Sequence, residues 1–502
     1  MSHWILIPLL LPLSAGMINL LLVRKGVFAQ RLVSIVTACA LLAATLFLLS
    51  GAQDGHIEIY ELGNWPAPFG IVLVLDRLSA LMLALTALLA LPVLLHACCG
   101  DDLRGRDFHV LFPLQILGIN GAFLTGDLFN LFVFFEILLI ASYCLAMHGQ
   151  GPERTRNALR YVVLNLIGSS LFLIALGTLY GVCGTLNMAD LALKVAGSTP
   201  GQAPLLRASA LLLLCVFGLK AAILPLFLWL PGLYASVLPA VAALFAIMTK
   251  VGVYAILRTQ SLIFSSQGPV PDAAELLFPL ALATLAAGSM CVLGSRSLRM
   301  LLAWLVIVSV GSLLAGIGLW NEAGISASLY YLPHSTLVMA GLFLLADQAA
   351  RQRGLTGGLA GDMLEPGPPM SQPNLLGALF LLGAMGAAGL PPLSGFVGKV
   401  LLLQAASAPK AVWLWPVALG GSLVALVALG RCGSMLFWKT EGIPLSGTAV
   451  SWPRLAPAAA LILAGVALAI MAGPVTAYTE ATARQLLAPE NYIRAVLGGA
   501  TP

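Results

Sequence analysis

Apolar residues run along this chain in blocks of about twenty, separated by short stretches where charged residues, glycines and prolines collect. Twenty helical residues at about 1.5 Å each cross the ~30 Å hydrocarbon core of a bilayer. The pattern predicts fourteen helices, near residues 3–23, 31–50, 72–97, 109–126, 128–148, 161–182, 208–230, 236–258, 273–294, 298–319, 323–349, 374–408, 412–438 and 453–474. Proline removes a backbone donor and crowds the preceding turn, so the seventh helix is expected to break near Pro225 and the twelfth at Pro391–Pro392. The stretch from 476 to 499 mixes apolar and charged residues and is expected to form a short interfacial helix.

Composition agrees with that pattern. The 502 residues are 60% hydrophobic and 9% charged, where a soluble chain carries about 25% charged; mean hydropathy is +0.99. The fold class is therefore an all-α polytopic membrane protein in contact with the lipid bilayer. The net charge of +5 is spread over the loops, so no nucleic-acid partner is indicated. The eight cysteines show no paired zinc spacing, and most lie in apolar segments where cysteine acts as a small hydrophobe. The largest connections, near 183–207 and 350–373, are Gly/Pro-rich and too short for a soluble domain. No nucleotide, haem or iron–sulfur cofactor is expected, and the chemistry is placed within the membrane. The first apolar run has no basic region before it and is followed by Arg24 and Lys25, which reads as a membrane helix rather than a cleaved signal.

With the N-terminus outside, the inside loops carry fourteen basic residues (Arg24, Lys25, Arg31, Arg104, Arg106, Arg154, Arg156, Arg160, Arg296, Arg299, Arg351, Arg353, Lys439 and Arg454). Six fall outside: Lys194, Arg207, Arg258, Lys410, Arg484 and Arg494. The positive-inside rule then places both termini outside. Helices 4–8 and 9–13 form two blocks of five, and the fourth helix of each block couples a lysine to a break, Lys220 with Pro225 and Lys399 with Pro391–Pro392. An odd number of helices makes successive blocks enter from opposite sides, the arrangement of an inverted repeat. The organisation expected is a three-helix region at 1–108, repeats at 109–258 and 259–438, and a C-terminal helix with its tail at 439–502.

Five ionisable residues fall deep within the predicted spans: Glu136, Lys220, Lys250, His334 and Lys399. A charge at membrane depth costs roughly 2.5–3.5 kcal/mol on insertion scales, so such residues mark ion or proton pathways. Glu136 is either a structural ion-pair partner or a switchable counter-ion, with Lys220 as its partner. A lysine held between a desolvating interior and a carboxylate can take or release a proton when its partner moves, whereas arginine stays protonated. Three deep lysines therefore favour proton transfer over anion binding. His334 follows the helix-weakening Pro333, and Ser335 and Thr336 follow it, which suits a relay with hydroxyl neighbours. Asp76, Arg77, Arg431, Asp127 and Asp347 lie nearer helix ends and receive no role in transport.

The segments FFEILLIASYCLAM around Glu136, FGLKAAILPLFLWLP around Lys220, ALFAIMTKVGVYAILR around Lys250 and GLPPLSGFVGKVLLL around Lys399 resemble the proton-translocating module shared by Mrp antiporters and respiratory complex I. Within that superfamily, LNLIGSSLFLIALGTLYGVCGTLNMADLA and YYLPHSTLVMAGLFLLADQ look most like the D-type subunits of multisubunit Mrp (Pha) Na⁺(K⁺)/H⁺ antiporters. The resemblance implies a fourteen-helix fold with helices 7 and 12 broken and a hydrated axis at mid-membrane. It also implies that Glu136 pairs with Lys220, that Lys250 and His334 continue the relay, and that Lys399 serves a second half-channel. Two segments depart from the family pattern: GLYASVLPAVAA after Pro231 replaces a polar, proline-rich link, and RMLLAWLVIVSVG lacks the serine-rich run usual there.

The function expected is secondary antiport by a non-enzymatic transporter subunit. Proton uptake would drive Na⁺ or K⁺ export, with other subunits of a Mrp-type complex as partners. The alternative is a proton-pumping subunit of a complex I-type NADH:quinone oxidoreductase or a membrane-bound hydrogenase. Against it stand Lys399, where one such pump subunit has glutamate, and a chain that ends soon after helix 14 without the long lateral helix of another; neither excludes the third pump subunit, and the segment resemblance decides for the antiporter. A non-conducting scaffold would gain nothing from so many desolvated charges.

Overall fold

The computed structural model describes residues 3–264, 274–353, 359–441 and 451–498; part of the 350–373 connection and the last residues of the tail lie outside them. The chain opens with α1 (Ile7–Leu22) and α2 (Val27–Gly51). A short antiparallel hairpin follows, β1 (Glu58–Glu61) against β2 (Val72–Leu75), with Glu58 opposite Leu75. The third span was expected to begin at residue 72, but Val72–Leu75 is a buried strand and the helix starts only at Arg77. The run Val-Leu-Val-Leu suits a pleated edge, and Asp76 then caps the helix by accepting from the Ser79 amide at 2.8 Å.

The helices α3 (Arg77–Ala97), α4 (Phe108–Leu124), α5 (Leu128–Met147), α6 (Pro152–Cys183), the short α7 (Met188–Ala196) and α8 (Ala203–Ala221) come next. The chain continues through α9 (Leu230–Ser236), α10 (Pro239–Phe245), α11 (Met248–Leu262), α12 (Ala274–Leu293), α13 (Leu298–Gly318) and α14 (Glu322–Gln352). It closes with α15 (Pro373–Ala388), α16 (Ser394–Gln404), α17 (Ala408–Gly433), α18 (Trp452–Ile470), α19 (Ala472–Leu486) and α20 (Pro489–Leu497). Among the described residues, twelve helices or broken helices are long and apolar enough to cross a membrane. The chain is a multi-pass membrane protein. The fourth expected span falls on α4, which has 17 residues, and the twelfth on the pair α15 and α16.

The outer helices and the centre differ as a bilayer requires. On α1, α2, α6 and α17, leucine, isoleucine, valine and phenylalanine face outward, as on Leu21, Phe28, Ile174 and Leu423. The helices α11, α13 and α14 are buried nearly throughout and form the centre. The chain breaks where prolines and left-handed residues coincide. After α8, Ala222 turns left-handed (φ 63°) and a 3₁₀ turn at Leu226–Trp229 leads into α9. After α15, Gly389 does the same (φ 83°) before α16 begins. A further interruption, unexpected from the sequence, separates α10 from α11 at Ala246–Ile247, where bonds to the third residue back replace the α-helical ladder. By contrast α14 runs unbroken through Pro333, which was expected to weaken it.

The C-terminal stretch is two helices docked on the protein rather than one lying free at the interface. Tyr478 donates to the Arg77 carbonyl at 2.8 Å, Ser326 and Thr479 share a 2.9 Å hydrogen bond, and Arg484 meets Glu322 at 2.8 Å. Its mixed composition reflects a buried face (Thr479, Thr482, Ala483, Leu486) that fits protein polar groups instead of lipid.

Candidate functional site

The three deep lysines all lie beside a helix interruption. Lys220 is in the last turn of α8, where the unpaired carbonyl ends favour a cation. Lys250 is in the first turn of α11, directly after the Ala246–Ile247 interruption. Lys399 is on α16, and its Nζ donates across the break to the Ala388 carbonyl at the end of α15, at 2.7 Å. Interrupted helices free the backbone acceptors that an ammonium needs in an apolar interior.

Each lysine also meets a neutral side-chain acceptor. Lys220 Nζ donates to Asn165 Oδ1 (2.8 Å), Lys250 Nζ reaches Ser309 Oγ at 3.4 Å, and Lys399 Nζ donates to Ser422 Oγ (2.8 Å). Lys250, fully buried and held by one long contact, is the weakest-held of the three. Asn165 is oriented for this task, because its Nδ2 donates to the Tyr161 carbonyl at 2.8 Å and leaves Oδ1 for the ammonium.

Glu136, half-buried on α5, does not touch Lys220. Among the described residues the two make no ion pair within 4.0 Å, and the Glu136 carboxylate instead accepts a hydrogen bond from Ser169. Ser169 lies four residues after Asn165, so both side chains project from one face of α6. Helix α6 thus binds both groups, with Ser169 holding the carboxylate and Asn165 the ammonium. The expected Glu136–Lys220 pair is separated in this conformation. The two α6 residues were missed in the sequence, although polar positions at this spacing in an otherwise apolar helix (YVVLNLIGSSLF) were the available signal.

Lys220 lines a small cavity with Phe135, Tyr161, Asn165, Trp229, Met248 and Val251, with room for about one water molecule. Met248 and Val251 belong to the first turn of α11, the helix that carries Lys250. The helices of Lys220 and Lys250 touch through Gly252, where any Cβ would collide with the Ala221 amide and the Phe217 carbonyl.

His334 is buried and sits apart from that line. Its Nε2 faces the Gly386 carbonyl (3.1 Å), and its Nδ1 faces Ser394 Oγ (2.8 Å), which itself lies 2.5 Å from the Gly465 carbonyl of α18. A carbonyl only accepts, so Nε2 carries a proton. Ser394 has one hydroxyl proton and two acceptors for it. Donated to Gly465, it leaves Nδ1 as donor and the ring charged; donated to Nδ1, it leaves the ring neutral. The Ser394 hydroxyl therefore follows the charge of His334. The hydroxyls expected to serve this histidine do not: Ser335 and Thr336 both donate to the Leu332 carbonyl of their own helix, at 3.1 and 2.8 Å. Lys399 lies five residues beyond Ser394 on α16.

Several charged groups read from the sequence as loop or end residues are buried, among them Asp76, Arg258 and Asp347. Arg258 forms a two-pronged ion pair with Asp76 (2.6 and 2.8 Å), with its guanidinium over the rings of Tyr254 and Tyr492. Asp347 takes a 2.6 Å bond from Arg351 and lies 3.7 Å from His96. Asp127 caps a helix by accepting from the Asn130 amide at 2.9 Å. Cys98, Asp102 and His109 bring ligand-type atoms within 4.8 Å of one another. That cluster does not suit a cation. Asp102 is already bound by Arg31 at 2.6 and 2.9 Å and faces His109 Nε2 at 3.1 Å, and burial together with the Asp102 charge pushes the Cys98 thiol up to about 12.

Comparison with known proteins follows the same lines. The family described as "NADH:quinone oxidoreductase/Mrp antiporter, TM" matches residues 125–425. A relative from Rhizobium meliloti (strain 1021), named as a probable K(+)/H(+) antiporter D subunit, is 38% identical, covering 99% of this chain and 98% of that one. The Na(+)/H(+) antiporter D subunit of Bacillus subtilis (strain 168) is 36% identical over 99% of this chain and 100% of its own. Among solved structures, a chain of the Mrp complex from Dietzia sp. DQ12-45-1b superimposes with a TM-score of 0.88 at 27% identity, covering 99% of this chain and 100% of that chain. A family match across more than half of the sequence, together with full-length relatives, means that this chain belongs to the NADH:quinone oxidoreductase/Mrp antiporter family of transmembrane proteins.

Proposed function

We propose that this chain is the proton-translocating subunit of a multisubunit Na⁺ or K⁺/H⁺ antiporter, a secondary transporter rather than an enzyme. The observation that carries the reading is the set of three interior lysines, each beside a helix interruption and each bound by a neutral acceptor. Such an ammonium can lose its proton without leaving a buried carboxylate unpaired. The full-length relatives named as antiporter D subunits favour this over a redox-driven pump. The partners are then the other subunits of a Mrp-type complex, in a bacterial inner membrane. The positive-inside count still places both termini outside, although Arg258, counted there as a loop residue, is buried against Asp76.

The functional unit comprises Glu136, Lys220, Lys250, His334 and Lys399. A proton arriving near Lys399 or His334 pushes positive charge towards Lys250 and Lys220. The separated Glu136 and Lys220 are one state of a two-state element; the other closes the pair as the Ser169 and Asn165 contacts are exchanged. Lys220 holds its proton in the closed state and yields it in the separated state. The division into a three-helix region, two inverted five-helix repeats (109–258 and 259–438) and a C-terminal part is supported by the matching breaks after α8 and α15.

The test is cation-induced proton flux in everted vesicles from a host lacking its own antiporters, expressing this chain with its neighbouring genes. Na⁺ or K⁺ is expected to collapse the pH gradient with wild type, and Lys220→Ala and Glu136→Ala to abolish the effect while the complex still assembles. Wild-type transport in either variant refutes the role given to the pair. A gradient built by NADH or hydrogen oxidation, with no cation effect, identifies a redox pump instead.

A further inference from the structure

The lysine line has a gap between Lys250 and Lys399, and His334 does not fill it. Its ring is committed to Gly386 and Ser394, with Gly465 beyond, on α15, α16 and α18. None of those groups is on α11 or α13.

Helix α13 does reach both lysines. Ser309 Oγ is the one side-chain partner of Lys250 among the described residues, at 3.4 Å. Ser312, one turn on, lines a cavity with Lys399, Ser422, Val308 and Leu402, with room for about one water molecule. Both serines are buried, and residues three apart on a helix place their Cβ atoms about 5–6 Å from each other. Ser309 donates to the Val306 carbonyl (2.7 Å) and Ser312 to that of Val308 (3.1 Å). Each hydroxyl therefore has its hydrogen parked on its own helix and its lone pairs free for a donor. Ser422 is built the same way against Lys399, donating to the Ala418 carbonyl at 2.9 Å.

We propose that Ser309 and Ser312 of α13 carry the proton between Lys250 and Lys399, with a water in the Lys399 cavity, and that His334 lies on a side branch. The inference rests on the transport reading above. Written out, the Lys399 ammonium gives a proton to the cavity water, and the water gives one of its own to Ser312 Oγ. Ser312 releases its original hydrogen from the Val308 carbonyl to a second water between the two hydroxyls, and that water gives one of its own to Ser309 Oγ. Ser309 does the same towards the Lys250 amine, which becomes the ammonium. Each oxygen gains one proton and loses one, so the net change is one proton moved between two lysines.

Threonine and valine at position 312 add the same bulk and differ only in the hydroxyl, so comparing them separates conduction from packing. In everted vesicles holding the whole complex, at equal amounts of assembled protein, Ser312→Thr is expected to keep most of the wild-type cation-driven proton flux. Ser312→Val should fall about tenfold or more below it, and Ser309→Ala should also be slow. Equal flux in the threonine and valine variants, whether fast or slow, beside an active wild type overturns the serine route alone. A wild type without cation-driven flux overturns the antiporter reading and this route with it.

Discussion

Asp76 and Arg258 offer a strong test of how the transport line is held in place. Their side chains are 2% and 5% exposed and joined by bonds of 2.6 and 2.8 Å. Arg258 is two turns beyond Lys250 on α11, while Asp76 starts α3, so the pair fixes the helix that presents the weakest-held lysine. Asp76→Asn retains an oxygen to cap the Ser79 amide and removes only the charge, leaving a guanidinium desolvated beside Tyr254 and Tyr492. Breaking one side of such a buried pair costs about 3–5 kcal/mol, whereas replacing both partners by neutral groups is often close to neutral. Asp76→Asn and Arg258→Met should therefore each lower thermal stability in detergent by that amount. The double variant should recover at least about 2 kcal/mol of their summed loss. Thermal unfolding of the assembled complex gives the cycle, and losses that simply add would refute the pairing energy argued here. The pH dependence has a definite sign. Burial pushes the Asp76 carboxyl up, but the Arg258 charge and hydrogen bonds outweigh it and hold the group below the usual carboxylate range. A depressed carboxyl stabilises fully above its unfolded value of about 3.9, and that stability is lost as pH falls through the native value. Asp76→Asn should remove this acid limb from the stability profile, and an unchanged limb would assign it to other groups.

Two further predictions concern the line itself. Asn165→Leu preserves side-chain bulk but removes the one hydrogen-bond acceptor of Lys220 among the described residues. A hydrogen bond to a charged group is worth about 1.5–3 kcal/mol, so cation-driven flux should fall roughly 10- to 100-fold, and a wild-type rate would show that Lys220 does not depend on α6. His334→Ala should slow transport and shift its pH optimum, with Ser394→Ala reproducing part of the shift. An unchanged profile in both variants would leave His334 a packing residue.

The membrane class, most of the apolar helices and the breaks beside Lys220 and Lys399 were readable from the chain alone, because each follows from a local rule. About twenty apolar residues cross a bilayer whatever their neighbours, proline interrupts a helix by its own chemistry, and an interior charge is expensive enough to stand out. The breaks beside Lys220 and Lys399 were anticipated on those grounds. The break before Lys250 was not, since no proline or glycine marks Ala246–Ile247. Pro333 erred in the other direction, because the packing of a fully buried α14 outweighs the loss of one backbone bond.

Partnership is what the tertiary structure decided. Opposite charges on different spans were expected to meet, but Glu136 and Lys220 form no ion pair among the described residues and are held instead by Ser169 and Asn165 of α6. Likewise Ser335 and Thr336, adjacent in sequence to His334, turn to their own backbone, while Ser394, sixty residues away, meets the ring. Asp76 finds Arg258 at a separation of 182 residues rather than its neighbour Arg77. Hydropathy depends on a segment's own composition, whereas a hydrogen bond depends on which helix face is turned towards which neighbour. That orientation is set by packing across the whole bundle and is not written in any single stretch of the chain.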